Sequence, residues 1–567
     1  MAKVYPSGID TNKEERLSRD PADLNRLLNR SELNRTARYL EEELKRSHQA
    51  LKHRRRPGAY YISYLFRNHL NHRLWGRLGA INESRSSVNN AVYCDVRVGS
   101  YRYDNITDGG LNDNSDRDES YDYVNMPVEV SKDAVKFGLW KLTDARFREA
   151  VEQYYERKSG ELHFMTPYPG LSARKKQGPV RDFRYRSFPE LDLDYWQYLI
   201  RKVGNLIKKY HSIQNSWFEF SAQNRQSIFV STEGSRILNQ LGIYQLSAHL
   251  WLLSRRGEGI SQELNLIEGD PTDLPGEKEF IKFIKSRIDL LLSVQKAPRL
   301  NSYSGPVLLA PDAAGVFFHE VVGHRLEGSR LLSTDEGATF KDLRGKQIAP
   351  DYIDIIDDPL QTQFDKRRMI GHYRYDDEGS PAKAATLVER GVLRNFLTTA
   401  APLPGQKTLN GHARNQRFER PISRMGNLFI INHAPVSADD MRRMFIEEIR
   451  RQKKPFGIYI KEVLGGETGT DSYDFQAFKG EIHHAVRVFP NGREEPVRGV
   501  DFVGTPLSAL DAVVCMGDEP HLDNSYCGAE SGMVPVSTVS PAMLMRNLEL
   551  QGKDQERFTQ YLLPLPY

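Results

Sequence analysis

The stretch from Ala310 to Gly328 constrains this chain more than any other. Ala313, Ala314, Phe317, Phe318, Val321 and Val322 make it apolar and compatible with a buried helix, yet His319, Glu320 and His324 fall inside it. Two imidazoles and a carboxylate are the residue set for a zinc ion and a general base. The spacing is one residue longer than the common H-E-x-x-H. With about 100° per residue, histidines at i and i+4 diverge by about 40° and can share a metal, whereas those at i and i+5 diverge by about 140°. The motif therefore predicts a helix bulged or broken at Val322-Gly323, through a π-bulge or a loosening at the glycine. The plain alternative is a buried helix with two incidental histidines.

A catalytic zinc takes about three protein ligands and leaves a position for water. The third donor is to be sought among the other histidines, the carboxylates and the three cysteines, Cys94, Cys515 and Cys527. Cys94 and Cys515 lie in apolar runs and read as core. Cys527 lies between Asp523 and Gly532 in a small, polar, glycine-flanked stretch that reads as a loop. There it is a candidate ligand or simply a partly exposed thiol.

Composition narrows the classes. The 567 residues are 39% hydrophobic and carry a formal net charge of +4, with a mean hydropathy of −0.58. So small a charge makes no case for nucleic acid. No apolar run approaches the roughly 20 residues of a membrane-spanning helix. The first residues show no apolar secretory segment, and three cysteines fit a reducing cytoplasm better than a disulfide framework.

The pattern along the chain divides it into three. Residues 1–56 read as a charged helical arm with an apolar stripe at Leu33, Ala37, Leu40, Leu44 and Leu51. Residues 57–297 read as an N-terminal α+β domain. It has strands at 60–66, 91–98, 216–222, 226–232, 241–247 and 247–253, and helices from Ser131 to about Arg157, Leu191 to Tyr210 and 276–295. An acidic loop runs from Thr107 to Asp122, and a basic loop from Ser172 to Gly178. Residues 298–567 read as a β-rich C-terminal domain that holds the metal motif. Its short strands include Tyr352–Ile356, Phe396–Thr398, Leu428–Ile431, Gly457–Ile460 and Phe475–Phe478, with a hairpin at Asn491-Gly492, one helix from Ser437 to Arg451 and an exposed tail after Gly552. The expected fold class is α+β: an N-terminal α/β domain and a mainly antiparallel C-terminal domain around the metal-motif helix.

His319-Glu320-Val321-Val322-Gly323-His324-Arg325-Leu326-Glu327-Gly328 resembles the signature of the TldD/PmbA family of zinc metalloproteases, in its metal-bearing TldD branch. Tyr375-Asp376-Asp377-Glu378-Gly379-Ser380-Pro381 with Leu387–Leu393, and Cys527-Gly528 with Val534–Ser537, are similar to two further family segments. The resemblance implies zinc held by His319, His324 and Cys527, with Glu320 as catalytic base. It implies cleavage of unfolded or extended peptide substrates, held by their main chain in an enclosed channel. It also implies a homodimer or a heterodimer with a metal-lacking paralogue. Glu327 is a candidate second acceptor behind a ligand, and His372, Tyr375, His412 and His483 are candidates by residue type for an oxyanion donor. Three other readings compete. One is a dipeptidyl peptidase III-like enzyme using Glu447-Glu448. Another is a non-catalytic regulatory subunit of a peptidase complex. The last is a DNA-linked modulator of gyrase.

Overall fold

The computed structural model describes residues 26–52, 57–111, 124–162, 168–254, 256–336, 339–406, 408–472, 476–553, 557–563 and 565–566. Most of the first arm, the acidic loop beyond residue 111 and residues 473–475 lie outside these. No described helix is long and apolar enough to cross a membrane. The α+β class holds: helices lie against one sheet in the first half, and two largely antiparallel sheets surround a single buried helix in the second.

The helix α1 (Arg30–Leu51) starts at a capping box. The Asn29 side chain accepts from the N–H groups of Ser31 and Glu32, and the Glu32 carboxylate takes the Asn29 N–H. Its predicted stripe, Leu33, Ala37, Leu40 and Leu44, is buried in a cluster with Ile62, Tyr64, Val92 and Leu139. The arm's helix therefore packs on its own chain. Three further helices share that side of a seven-stranded sheet: α2 (Lys132–Gly160), α3 (Leu193–Ile207) and α4 (Glu277–Lys296). Ser131 and Asp192 cap the first two through their side chains.

The strands are longer than their sequence pattern implies. The runs at 60–66 and 91–98 are the buried ends of two 19-residue strands, Ala59–Arg77 and Ala80–Val98. They form one hairpin turning at Leu78 and Gly79, both with positive φ. The four predicted strands at 216–253 are likewise two, Asn215–Ser231 and Arg236–Leu253. In the first hairpin the outer halves are largely polar, so the alternation that signals a strand fades; in the second the alternation runs the whole length, with Phe218, Phe220, Leu246 and Leu250 in a core cluster.

In the second half, pairings among Gly457–Thr468, Ser302–Leu309, Met543–Gly552, Val500–Gly504 and Phe478–Val488 close a ring of strands. A six-stranded sheet lies opposite, with His521–Ala529 at one edge. The helix α5 (Pro311–Phe318) runs between them. It is covered on both sides, which is why it is apolar nearly all round. Ala313, Ala314, Phe317, Phe318, Val321 and Val322 expose nothing. The helix α6 (Ala438–Arg451), capped by Ser437, and the hairpin with Gly492 at positive φ form as expected. Phe396–Thr398 is not a strand; Leu397 makes a single bridge to Glu327. Beyond Gly552, Phe558 docks on the first sheet: its N–H donates to Gly257 and its ring meets Trp251 edge-on.

Buried ion pairs join the two halves. Glu378 accepts from Arg97 and Arg174, each at 3.0 Å, and Asp377 pairs with Arg67 at 3.0 Å. Arg174 belongs to the predicted basic loop, yet it is 1% exposed and stacks on Tyr61. Asp376 accepts the N–H groups of Glu378, Ser380 and Ala413, shaping the turn that presents its two neighbours. In this chain the 375–381 segment is thus a latch between halves.

Candidate metal centre

The helix does deform at the motif. From His319 to Gly323 the backbone makes a π-turn, closed by the His324 N–H donating to the His319 carbonyl. The extra residue brings the two imidazoles to one side, with ring centroids 5.0 Å apart. Gly323 serves differently from expectation. Its backbone is ordinary helix (φ −52°, ψ −61°), and a Cβ there would stand 2.1 Å from Met425 Sδ. Glycine is needed for the close approach of Met425, and the bend comes from the π-turn.

Cys527 meets the histidines from the other side. It lies on the edge strand His521–Ala529, paired with Val534, and not in a loop. Its small, polar neighbours suit an edge strand facing a cleft, which sequence alone does not distinguish from a loop. The Sγ is 3.1 Å from His319 Nε2 and 3.3 Å from His324 Nε2. One donor atom from each of the three residues lies within 4.8 Å of the others. Burial pushes the Cys527 thiol up, but His324, Arg424 and His319 outweigh this and hold it well below its usual value, favouring thiolate. Two imidazole nitrogens and a thiolate are a donor set that fits zinc.

Supporting groups surround these donors. Glu327, wholly buried, takes the other ring nitrogen of His324 at 3.2 Å and also pairs with Arg330 at 3.1 Å and Arg424 at 3.3 Å. Burial opposes its charge, yet His324 and the two arginines bring its pKa down to about 2. Arg424 donates to both the carbonyl and the Sγ of Cys527, at 2.6 and 3.1 Å. Arg325 donates to the carbonyls of Glu320, Gly469 and Gln476, tying the motif to the adjoining strand connection. Nothing in the sequence around Arg424 separates it from surface arginines.

Glu320 is 5% exposed and lines the same cleft as the three donors. Burial raises its pKa. Gly466 makes room for it, since a Cβ there would stand 2.5 Å from Glu320 Cγ. The cleft measures about 860 Å³, and its walls come from residues 263–267, 462–471 and 523–530.

Of the candidate oxyanion donors only His483 reaches this cleft. His412 is buried between Asn410 and Asp357, His372 hydrogen-bonds the Pro359 carbonyl, and Tyr375 donates to Asp182. Glu447 is exposed and Glu448 pairs with Arg451, so neither is in the site. Cys94 and Cys515 are buried in core clusters.

Comparison with known proteins places the chain in a family. Residues 302–552 match the model of the PmbA/TldA metallopeptidase C-terminal domain. A metalloprotease of Methanothermobacter thermautotrophicus is 30% identical over 335 residues, covering 58% of this chain and 67% of that protein. This chain belongs to the TldD/PmbA family of metallopeptidases. A metalloprotease of Archaeoglobus fulgidus is 36% identical over 264 residues, 45% of this chain and 56% of that protein. The matched segments thus span about half to two thirds of these relatives. The fold is shared more widely: TldE from Thermococcus kodakarensis superposes with a TM-score of 0.56 at 13% identity, over 91% of this chain and all of that one. Within the family match fall the π-turn, the latch at 375–381 and the Cys527 strand.

Proposed function

We propose that this chain is a zinc peptidase acting on extended or unfolded peptides, with His319, His324 and Cys527 holding the ion and Glu320 moving the proton. The observation that supports this most is the convergence of three donor atoms within 4.8 Å beside a buried carboxylate in an open cleft. When bound, zinc supplies a Lewis acid that polarises a peptide carbonyl and acidifies a water molecule. The rest is the work of the chain. Cys527 would hold the ion as thiolate, and Glu327 fixes the His324 ring with Nε2 toward Cys527 Sγ. Glu320 takes the proton of the attacking water and returns it to the leaving amine. Its burial raises its basicity.

The substrate main chain finds a partner in the strand Gly457–Thr468. Among the described residues, positions 461–468 are paired only on the Phe478–Val488 side, because Ser302–Leu309 meets the strand at 458–460 alone. Residues 462–468 line the cleft. An extended peptide added there is held by backbone hydrogen bonds with little side-chain selection. The complete donor set argues against a non-catalytic subunit. The reading includes a two-subunit assembly, with a second copy or a metal-lacking paralogue, which mass measurement of the chain alone and mixed with such a protein tests.

The deciding experiment is Glu320→Gln. Zinc content by metal analysis is expected to stay stoichiometric while cleavage of a quenched fluorescent peptide falls by about 10²–10⁴-fold. Undiminished cleavage overturns the reading. Cys527→Ala is expected to lose zinc, and stoichiometric retention would remove Cys527 from the ligand set.

A further inference from the structure

The edge strand that carries Cys527 has a second side. Along His521–Ala529 the side chains alternate, so Cys527 turns to the histidines and its neighbour Tyr526 turns to the opposite face, toward Arg225 of the first half. Gly528 lies on that face too and pairs with Met533, whose Sδ would stand 2.9 Å from a Cβ at Gly528. Met533 therefore covers the glycine beside Tyr526. Both side chains line the cleft and stay open to solvent, Tyr526 at 36% and Met533 at 45%. They form an apolar wall that the proposed mechanism leaves unused.

Behind this wall stands Arg225, on the strand Asn215–Ser231. Phe218, Phe220 and Ala222 of that strand belong to the core shared with α3 and α4. Arg225 alternates to the other face, which meets Asp377, Arg414 and Tyr526 of the second half, with Arg67 beside it on the first sheet. Arg67 pairs with Asp377 at 3.0 Å, and Arg414 donates to the Met425 carbonyl at 2.6 Å and lies over the Tyr373 ring. The one carboxylate of this group is thus already engaged. Among the described residues the half-buried Arg225 side chain makes no hydrogen bond and no ion pair. Arg287 and Arg330, which line the cleft, are by contrast held by Glu462 and Glu530. Burial, then the nearby Arg67, push the Arg225 pKa down to about 10, the direction expected of a cation short of a counter-charge.

We propose that Arg225, with Tyr526 and Met533 as an apolar wall, forms a subsite for a carboxylate of the peptide beside the metal centre. Tyr526 adjoins Cys527, and an extended peptide advances about 3.3 Å per residue, which puts the carboxylate within about three residues of the bond cleaved. The group is either the peptide's terminal carboxylate or an aspartate or glutamate side chain. The chemistry of recognition is the same: a guanidinium donating two parallel hydrogen bonds to two carboxylate oxygens. The aromatic and thioether surfaces exclude water from that pair and so strengthen it. The proposal rests on the peptidase reading for the position of the cleaved bond.

The test uses the full chain carrying Glu320→Gln and fluorescent peptides of otherwise neutral sequence, so that binding is read by anisotropy without hydrolysis. One pair differs only in a free or an amidated C-terminus. A second series is amidated throughout and carries one glutamate, moved a residue at a time, with glutamine as its control. The free terminus, or one glutamate position, is expected to tighten binding about tenfold over its neutral counterpart, and which of the two does so identifies the source of the carboxylate. That ratio is expected to collapse toward one when Arg225→Gln is added, and to be kept in part with Arg225→Lys, which retains the charge but not the paired donors. Because Arg225 has no protein partner, its replacement leaves no carboxylate stranded, and circular dichroism is expected to be unchanged. Equal binding within every pair, absence of binding included, or a ratio that survives Arg225→Gln, overturns the subsite. Absence of cleavage by the unsubstituted chain would instead count against the peptidase reading and leave the anisotropy result to decide the subsite.

Discussion

Arg424 has no exposed surface and serves two anionic groups at once, Cys527 and Glu327. Its guanidinium geometry suits this, because the charge is delocalised over several donors. Arg424→Leu leaves a buried carboxylate and thiolate short of a cation, and is expected to cost about 3–5 kcal/mol, read as a lowered urea midpoint. Glu327 stands behind the candidate metal donors and reaches them through His324 Nδ1. Glu327→Gln is expected to weaken zinc affinity about 10- to 100-fold in a chelator competition, with the fold intact by circular dichroism. Affinity equal to that of the unsubstituted chain would refute this role. His319, Glu320 and His324 stand out in the sequence because polar residues in an apolar run are conspicuous. Arg424 does not, because an arginine in a polar stretch has no such contrast.

At the scale of elements, the π-turn decides the geometry. The i, i+5 spacing made a distortion at the motif predictable, since a regular helix keeps the imidazoles apart. The reason for Gly323 was not predictable, because it depends on Met425, about a hundred residues later. Gly323→Ala is expected to destabilise the protein by about 1–3 kcal/mol through overpacking, and Met425→Ala in the same chain should recover part of that. Additive losses in the double-mutant cycle would show that the two do not share the space. Gly466 poses the same question nearer the chemistry. Gly466→Ala pushes on Glu320, so peptide cleavage is expected to fall while zinc content is kept. The first long hairpin of the first sheet was legible only at its buried end, where apolar residues crowd; its largely polar extension lacks that signal.

Across the whole molecule, the cleft exists because two halves are held in register. Arg97, Arg174 and Arg67 reach from the first half to Glu378 and Asp377. At the cleft itself, His483 Nε2 accepts the N–H of Glu263 at 3.3 Å. Burial is the main reason that the His483 pKa falls from 6.5 to about 4. A histidine whose folded pKa is depressed stabilises the fold fully above its unfolded value and loses that contribution as pH falls. Between pH 6.5 and 4 the loss is about 3 kcal/mol. The urea midpoint of the unsubstituted chain is therefore expected to drop more steeply over that window than that of His483→Gln, and parallel curves would contradict it. Local chemistry reaches as far as local pattern does. The metal-motif helix, its distortion, the capped helices and the α+β class all follow from residues close together along the chain, because periodicity and spacing are properties of short segments. The meeting of Cys527 with the two histidines, and of the arginines behind them, depends on contacts across hundreds of residues. Only the packed structure decides those, because burial and charge pairing are set by which surfaces the fold brings face to face.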